Sequence, residues 1–145
     1  MAKVLLVNGP NLNMLGQREP DIYGSTTLAE IETAVKNIIN GSGHELEHFQ
    51  SNSEGDLVDW LQARKGADFL IINAASLTHT SVALRDVISF VDVPFIEIHI
   101  SNVFKREAFR HHSFLSDIAI GMMTGLGAKG YELAASFAID YLERK

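Results

Sequence analysis

The chain has 145 residues, of which 46% are hydrophobic and 21% charged, a balance that suits one soluble globular domain spanning residues 1–145. Eighteen acidic against twelve basic residues leave a net charge of −6, which excludes the basic face a nucleic-acid binder needs. The lack of cysteine excludes disulfides and thiolate metal sites and fits a reducing, cytoplasmic setting.

The opening MAKVLLVNGP has an apolar run too short for a signal peptide, and no run is long enough to span a bilayer. Lys3 to Asn8 reads as a strand buried on both faces, hence parallel. A long stretch, Gly9 to Gly24, follows. Thr27 and Glu30 then have capping-box spacing. Leu28, Ile31, Val35 and Ile38 recur at helical spacing until Gly41. Glu45 to Gln50 reads as a less apolar strand, nearer an edge. A cap within Ser51 to Glu54 opens a helix with Leu57, Trp60 and Leu61, ending near Gly66. Asp68 to Asn73 (DFLIIN) is the clearest strand. Thr80 or Ser81 caps a helix carrying Leu84, Val87, Ile88 and Val91 on one face, and Pro94 ends that element. Phe95 to Ile100 is a fourth strand, and Val103 to Ser116 is irregular. Ile118 to Thr124 is a fifth strand. Gly130 to Arg144 is a last helix, with Tyr131, Ala134, Ala138 and Tyr141 on one face.

Strands alternating with helices predict an α/β, three-layer sandwich around a parallel sheet. For five strands the common doubly wound order is 2-1-3-4-5. Ligands in such sheets bind beyond the carboxyl ends of the strands, near the switch in strand order. Those ends deliver Asn8, Asn73 with the run Leu77 to Ser81, and His99 to Asn102. The irregular segment adds Arg106, Arg110, His111 and His112. This polar, partly cationic rim with few carboxylates predicts a small anionic, hydroxyl-rich ligand.

Three motifs point elsewhere and fail on context. Gly125, Gly127 and Gly130 spell GxGxxG between a strand and a helix, but no later strand carries a ribose-binding acid. A tight turn with close packing is the better reading. His44 to His48 reads HELEH, yet a zinc site needs both histidines one turn apart on a helix, and a strand is expected here. A phospho-receiver needs acids at the ends of strands one and three, where this chain has Asn8 and Asn73.

The loop Gly9 to Gly24 is too long for an ordinary connection. It holds Arg18 and Tyr23, and a guanidinium beside a phenol favours the phenolate, lowering a pKa that is ordinarily about 10. Such a base suits proton removal from carbon next to a carbonyl. Asn11 and Asn73 can supply donors or a water to the enolate so formed. His99 is the candidate acid for the leaving oxygen. Glu97 lies two residues away on the same strand face, where it can fix the imidazole tautomer and keep it protonated.

The ordered motifs GPNLNMLGQREPDIYG, QSNSEGDLVDW, INAASLTHTSVALRD, EIHISN and REAFRHHS resemble those of the type II 3-dehydroquinate dehydratases, and the resemblance runs on to the GYELA of the last helix. It implies a flavodoxin-like fold and dehydration of 3-dehydroquinate to 3-dehydroshikimate, by anti elimination through an enolate, in the shikimate pathway or in quinate catabolism. It implies Tyr23 as the base, Arg18 as the group that lowers the tyrosine pKa and stabilises the enolate, and Asn11 as the holder of a water at the enolate oxygen. His99 becomes the proton donor to the leaving hydroxyl. Asn73, Ile100 and Ser101 match the substrate carboxylate site, the latter two partly through backbone N–H groups, and His79 and Arg110 match residues that hold ring hydroxyls. Asp86 matches a residue contributed by a neighbouring subunit, within a dodecamer built from trimers. No cofactor, metal or Schiff-base lysine is implied, and the long loop is expected to close as a lid. The turn after strand three reads INAAS where many members carry Pro or Gly. Two other classes remain open at this point. A flavodoxin-type electron carrier would purify yellow, and a catalytically dead assembly scaffold would fail an activity assay.

Overall fold

The apolar run at the start of the chain becomes an interior strand. In the computed structural model, which describes residues 1–17, 21 and 24–144, β1 (Lys3–Asn8) lies between β2 (Glu45–Gln50) and β3 (Phe69–Asn73), parallel to both. β4 (Phe95–His99) and β5 (Gly121–Thr124) complete the parallel sheet, in the order β2-β1-β3-β4-β5. Five strands in this order were expected, and so was the less apolar β2 at an edge.

Side chains along a strand alternate between faces, and this splits the core in two. Val4 and Leu6 of β1 join Phe69 and Ile71 of β3 beneath α1 (Leu28–Gly41) and α4 (Lys129–Glu143). Leu5, Val7, Leu70 and Ile72 face the other way, beneath α2 (Glu54–Gln62) and α3 (Val82–Val91). The result is a three-layer α/β sandwich.

Local chemistry sets the helix starts. Thr27 Oγ1 accepts the Glu30 N–H at 3.2 Å while the Glu30 carboxylate accepts the Thr27 N–H at 3.0 Å, a complete capping box. Ser53 and Ser81 cap α2 and α3 by accepting the N–H groups of Asp56 and Leu84. The stripe Leu84, Val87, Ile88 and Val91 is buried as its spacing predicts, each side chain contributing about 1.5–3 kcal/mol of burial.

The differences from the expected elements are small and have local causes. On α1 the fully buried isoleucine is Ile39, with Ile38 only partly covered. β4 stops at His99, one residue early. β5 begins only at Gly121, because Ile118 and Ala119 turn back to donate to the Leu115 carbonyl. The β4–β5 crossover carries only two short 3-10 turns, Val103–Lys105 and Ala108–Arg110.

The discarded motifs fall as their contexts suggested. His44 and His48 lie along an extended chain at β2, paired with Glu143 and Glu32 respectively. The glycine motif forms the β5–α4 turn, with Gly125 and Gly127 at φ 87° and 62°. A Cβ on Gly125 would stand 2.9 Å from Asn102 Cβ, so only glycine allows this approach without displacement. The turn also holds the segment after β4: Gly125 N–H donates to the His99 carbonyl at 3.2 Å, and Gly127 N–H to that of Ile100 at 3.0 Å.

Candidate active site

The order of the strands switches between β1 and β3, where Asn8 and Asn73 lie opposite one another in register. β1 and β3 send their chains to opposite faces of the sheet, and a crevice opens between them. A cavity of about 170 Å³ occupies it. Its walls come from the segments after three strands: Pro10, Asn11 and Leu12 after β1, Asn73 to His79 after β3, and His99 to Ser101 at the end of β4. Arg106 and Arg110 of the irregular crossover complete it, and no carboxylate is among the described lining residues.

Each wall has a local cause. Gly9 passes so close to β3 that a Cβ would stand 2.3 Å from the Ala74 carbonyl oxygen, and its N–H donates to Asn73 O at 2.8 Å. Asn11 then takes a left-handed φ of 71°, which asparagine tolerates better than most residues. Its N–H donates to Asn52 Oδ1 at 2.9 Å, and Gln50 Nε2 ties the same Asn52 oxygen to the Gly9 carbonyl. The segment after β2 thus braces the loop after β1.

On β3, Asn73 is almost fully buried. Its Oδ1 accepts the Ala75 N–H at 3.1 Å and its Nδ2 donates to the Tyr131 hydroxyl at 2.8 Å. His79, at the end of the following 3-10 turn, shares Nδ1 with the His112 carbonyl at 2.8 Å. A carbonyl can only accept, so Nδ1 carries the proton and Nε2 is the free ring nitrogen. Burial pushes the His79 pKa down, against the pull of the His112 carbonyl, and the His99 and Arg110 charges add to the fall. His79 is therefore neutral near pH 7, an acceptor for a ligand hydroxyl. Its ring lies 6.2 Å from that of His99, nearly parallel.

His99 is the chemical centre of the cavity. Its Nε2 meets Glu97 Oε2 at 2.5 Å, with Glu97 fully buried. Positions 97 and 99 share a strand face, as expected. Burial alone would raise the Glu97 pKa, but donors outweigh it: the His99 ring and the hydroxyls of Ser116 (2.6 Å) and Ser113 (3.0 Å) hold the carboxyl below its ordinary value. An ionised carboxylate can only accept, so Nε2 carries a proton toward Glu97 and Nδ1 is the ring nitrogen left for a ligand. On the far side of this pair, a second hollow of about 540 Å³ runs past Ser116 to Met122.

The structure therefore brings Asn11, Asn73, His79, His99, Ile100, Ser101 and Arg110 to one cavity. Arg110 donates from Nε to Glu107 at 2.9 Å. Asp86 is exposed on α3 and does not line this cavity. Arg18 and Tyr23 lie outside the described residues. Lys105 is exposed and lines a different hollow with Asn102 and Ala128. Four contributors escaped assignment from sequence. Arg106 was legible only as one of several rim cations, yet it donates to Ser101 Oγ at 3.2 Å. Ser113 and Ser116, spaced to close on one carboxylate, have no motif of their own. Tyr131 read as an apolar helix face, although a buried phenol among alanines must send its hydroxyl to a polar partner.

Comparison with known proteins agrees along nearly the whole chain. The model of the family described as dehydroquinase class II matches residues 2–139. The 3-dehydroquinate dehydratase of Bordetella avium is 57% identical over 140 residues, 95% of this chain and 97% of that protein. 3-Dehydroquinate dehydratase 1 of Pseudomonas aeruginosa is 54% identical over 146 residues, 99% of each. Among solved structures, a type II dehydroquinase from Propionibacterium acnes superposes with a TM-score of 0.90 at 38% identity, covering 97% of each chain.

Proposed function

We infer the division of labour at this site from one premise: the chain belongs to the class II dehydroquinase family and is a 3-dehydroquinate dehydratase, a lyase. The substrate is a ring ketone that also carries a carboxylate and several hydroxyls. Tyr23, activated by Arg18, takes the proton from carbon next to the ketone, and the electron pair moves to the carbonyl oxygen as an enolate. Asn11 holds a water at that oxygen. The enolate then collapses, a carbon–carbon double bond forms, and the carbon–oxygen bond to the β-hydroxyl breaks. His99 Nδ1 donates its proton to the departing oxygen, which leaves as water. The product, 3-dehydroshikimate, is a conjugated ketone. Asn73 and the backbone of Ile100 and Ser101 receive the carboxylate, while His79 Nε2 and Arg110 take ring hydroxyls.

One observation carries this assignment: the buried Glu97–His99 pair opens onto a cavity whose described walls hold two guanidinium groups and no carboxylate. That pair leaves His99 Nδ1 for the departing oxygen, and that cavity favours an anion. Asp86, exposed on α3, reaches the site of a neighbouring subunit in a trimer, and trimers assemble into a dodecamer in the cytoplasm. The Gly9–Gly24 loop closes over substrate and brings Tyr23 and Arg18 to the mouth of the cavity.

The test is the ultraviolet absorbance of the conjugated product, followed from 3-dehydroquinate with a chelator present. Turnover is expected in the wild type. Tyr23→Phe should lose kcat by about 10²-fold or more while substrate binding changes little. Turnover that survives in Tyr23→Phe would remove Tyr23 from the role of base.

A further inference from the structure

A buried polar chain ties α4 to the carboxyl ends of the sheet, and its central residue, Tyr131, has no part in the chemistry above. Tyr131, fully buried on α4, donates its hydroxyl proton to Asn8 Oδ1 at 2.6 Å and accepts from Asn73 Nδ2 at 2.8 Å. Asn73 Oδ1 in turn accepts the Ala75 N–H at 3.1 Å. We propose that Tyr131 is a positioning residue for the dehydration: held between two buried asparagines, it fixes the orientation of the Asn73 amide that receives the substrate. The proposal rests on the reading that Asn73 touches substrate.

The polarity of the chain follows from its one group that cannot reverse. A backbone N–H can only donate, so the Asn73 atom facing Ala75 must be the oxygen. The nitrogen then faces Tyr131, whose oxygen must accept, and the single phenolic proton is left to point at Asn8. Reversing any member sets two donors or two acceptors against each other. The Asn73 nitrogen keeps one hydrogen beyond the one it gives to Tyr131, and the residue lines the cavity. That hydrogen can meet a ligand oxygen in only one direction while the phenol holds the other. Burial raises the Tyr131 pKa further above its ordinary value, so the phenol remains a neutral donor throughout the working range.

Two features argue that this arrangement serves the site and not the core. Ala75, which anchors the chain, sits at φ 54°, a left-handed region that strains a non-glycine residue. Asn8 Nδ2 is buried without a hydrogen-bond partner among the described residues, a further desolvation cost. Apolar side chains at positions 8 and 131 would fill the same volume without the second of these costs. The polar trio is retained where β1 and β3 end beside the cavity.

The experiment is a double-mutant cycle on kcat and KM with Tyr131→Phe, Asn73→Ala and the pair. Tyr131→Phe should raise KM by about tenfold, the scale of one misplaced hydrogen bond, with kcat changed far less. In the Asn73→Ala background the same substitution should alter kcat/KM by no more than about twofold, because the group it orients is gone. A tyrosine that only fills the core would lower the melting temperature and leave KM of the folded enzyme unchanged, and that result overturns the proposal. Losses that simply multiply in the double mutant also overturn it. If Asn73→Ala itself leaves kcat/KM intact, the assignment of Asn73 to the substrate falls and takes the proposal with it. Should Tyr131→Phe fail to fold, Asn8→Ala carries the cycle. It keeps the phenol but removes the acceptor of its proton, and a raised KM that vanishes without Asn73 is again expected.

Discussion

At the scale of single residues, Glu97 is held ionised where burial argues against it. Three donors close on its two oxygens, and in a low-dielectric setting each counts for more than it would in water. Its folded pKa lies below the ordinary carboxylate value, which is about 4.3 for glutamate. The ionised form therefore adds stability that is fully present above about pH 4.3 and is lost as pH falls through the depressed folded value. Glu97→Gln should flatten this acid limb when unfolding is followed in denaturant from about pH 6 to pH 3. It should also lower kcat by about one to two orders of magnitude at neutral pH, because the His99 ring loses the carboxylate that orients it. An unchanged acid limb and an unchanged kcat would show that the pair is mere packing. The Glu97–His99 relation was legible in the sequence, since alternation along a strand puts both on one face. The serines were not, because the crossover that returns them to Glu97 has no regular period. Tyr131 was hidden by its neighbours: it lies among Ala134, Ala135 and Ala138, and a helical stripe says what is buried but not which hydroxyl finds a partner.

At the scale of elements, α1, α2 and α3 are started by short polar caps and held by one apolar face, so caps and chemistry are separable. Thr27→Ala removes the oxygen that accepts the Glu30 N–H and should cost about 1 kcal/mol of stability. Denaturant midpoints should report that loss while KM and kcat at saturating stability stay level. A loss of turnover without a loss of stability would mean that α1 does more than frame the entry of the loop. Strands and helices were legible to within a few residues because their signals are local: β1, β2 and the capping box of α1 need no information from elsewhere. The start of β5 was not, since Ile118 and Ile120 have strand-like side chains and the segment is diverted by a tight turn, Ile118 N–H to the Leu115 carbonyl. Strand order was legible only through the common topology of alternating elements, which no single segment contains.

At the scale of the whole molecule, Asp86 and His99 belong to one proposed site, but Asp86 is exposed on α3 and does not line the cavity that His99 lines, so the site is proposed to close between subunits. Asp86→Ala and Tyr23→Phe chains, each impaired alone, should regain activity when unfolded together and refolded as a mixture. In hybrid assemblies some sites then pair an intact Tyr23 with an intact neighbouring Asp86. No regain in mixtures whose hybrid assembly is verified by mass would place Asp86 outside the site. Sequence physics had no access to this level, because an exposed carboxylate on a helix carries no mark of the subunit it faces. The β5–α4 turn has a consequence of its own. A chain ending at Thr124 would still possess every side chain assigned to the substrate. It would lack the two amides that anchor the His99 and Ile100 carbonyls, and with them the phenol between Asn8 and Asn73. The final seventh of the polypeptide meets no substrate in this account, yet truncation there would dismantle the binding floor from beneath, leaving a complete inventory of catalytic groups with nothing to hold them in register.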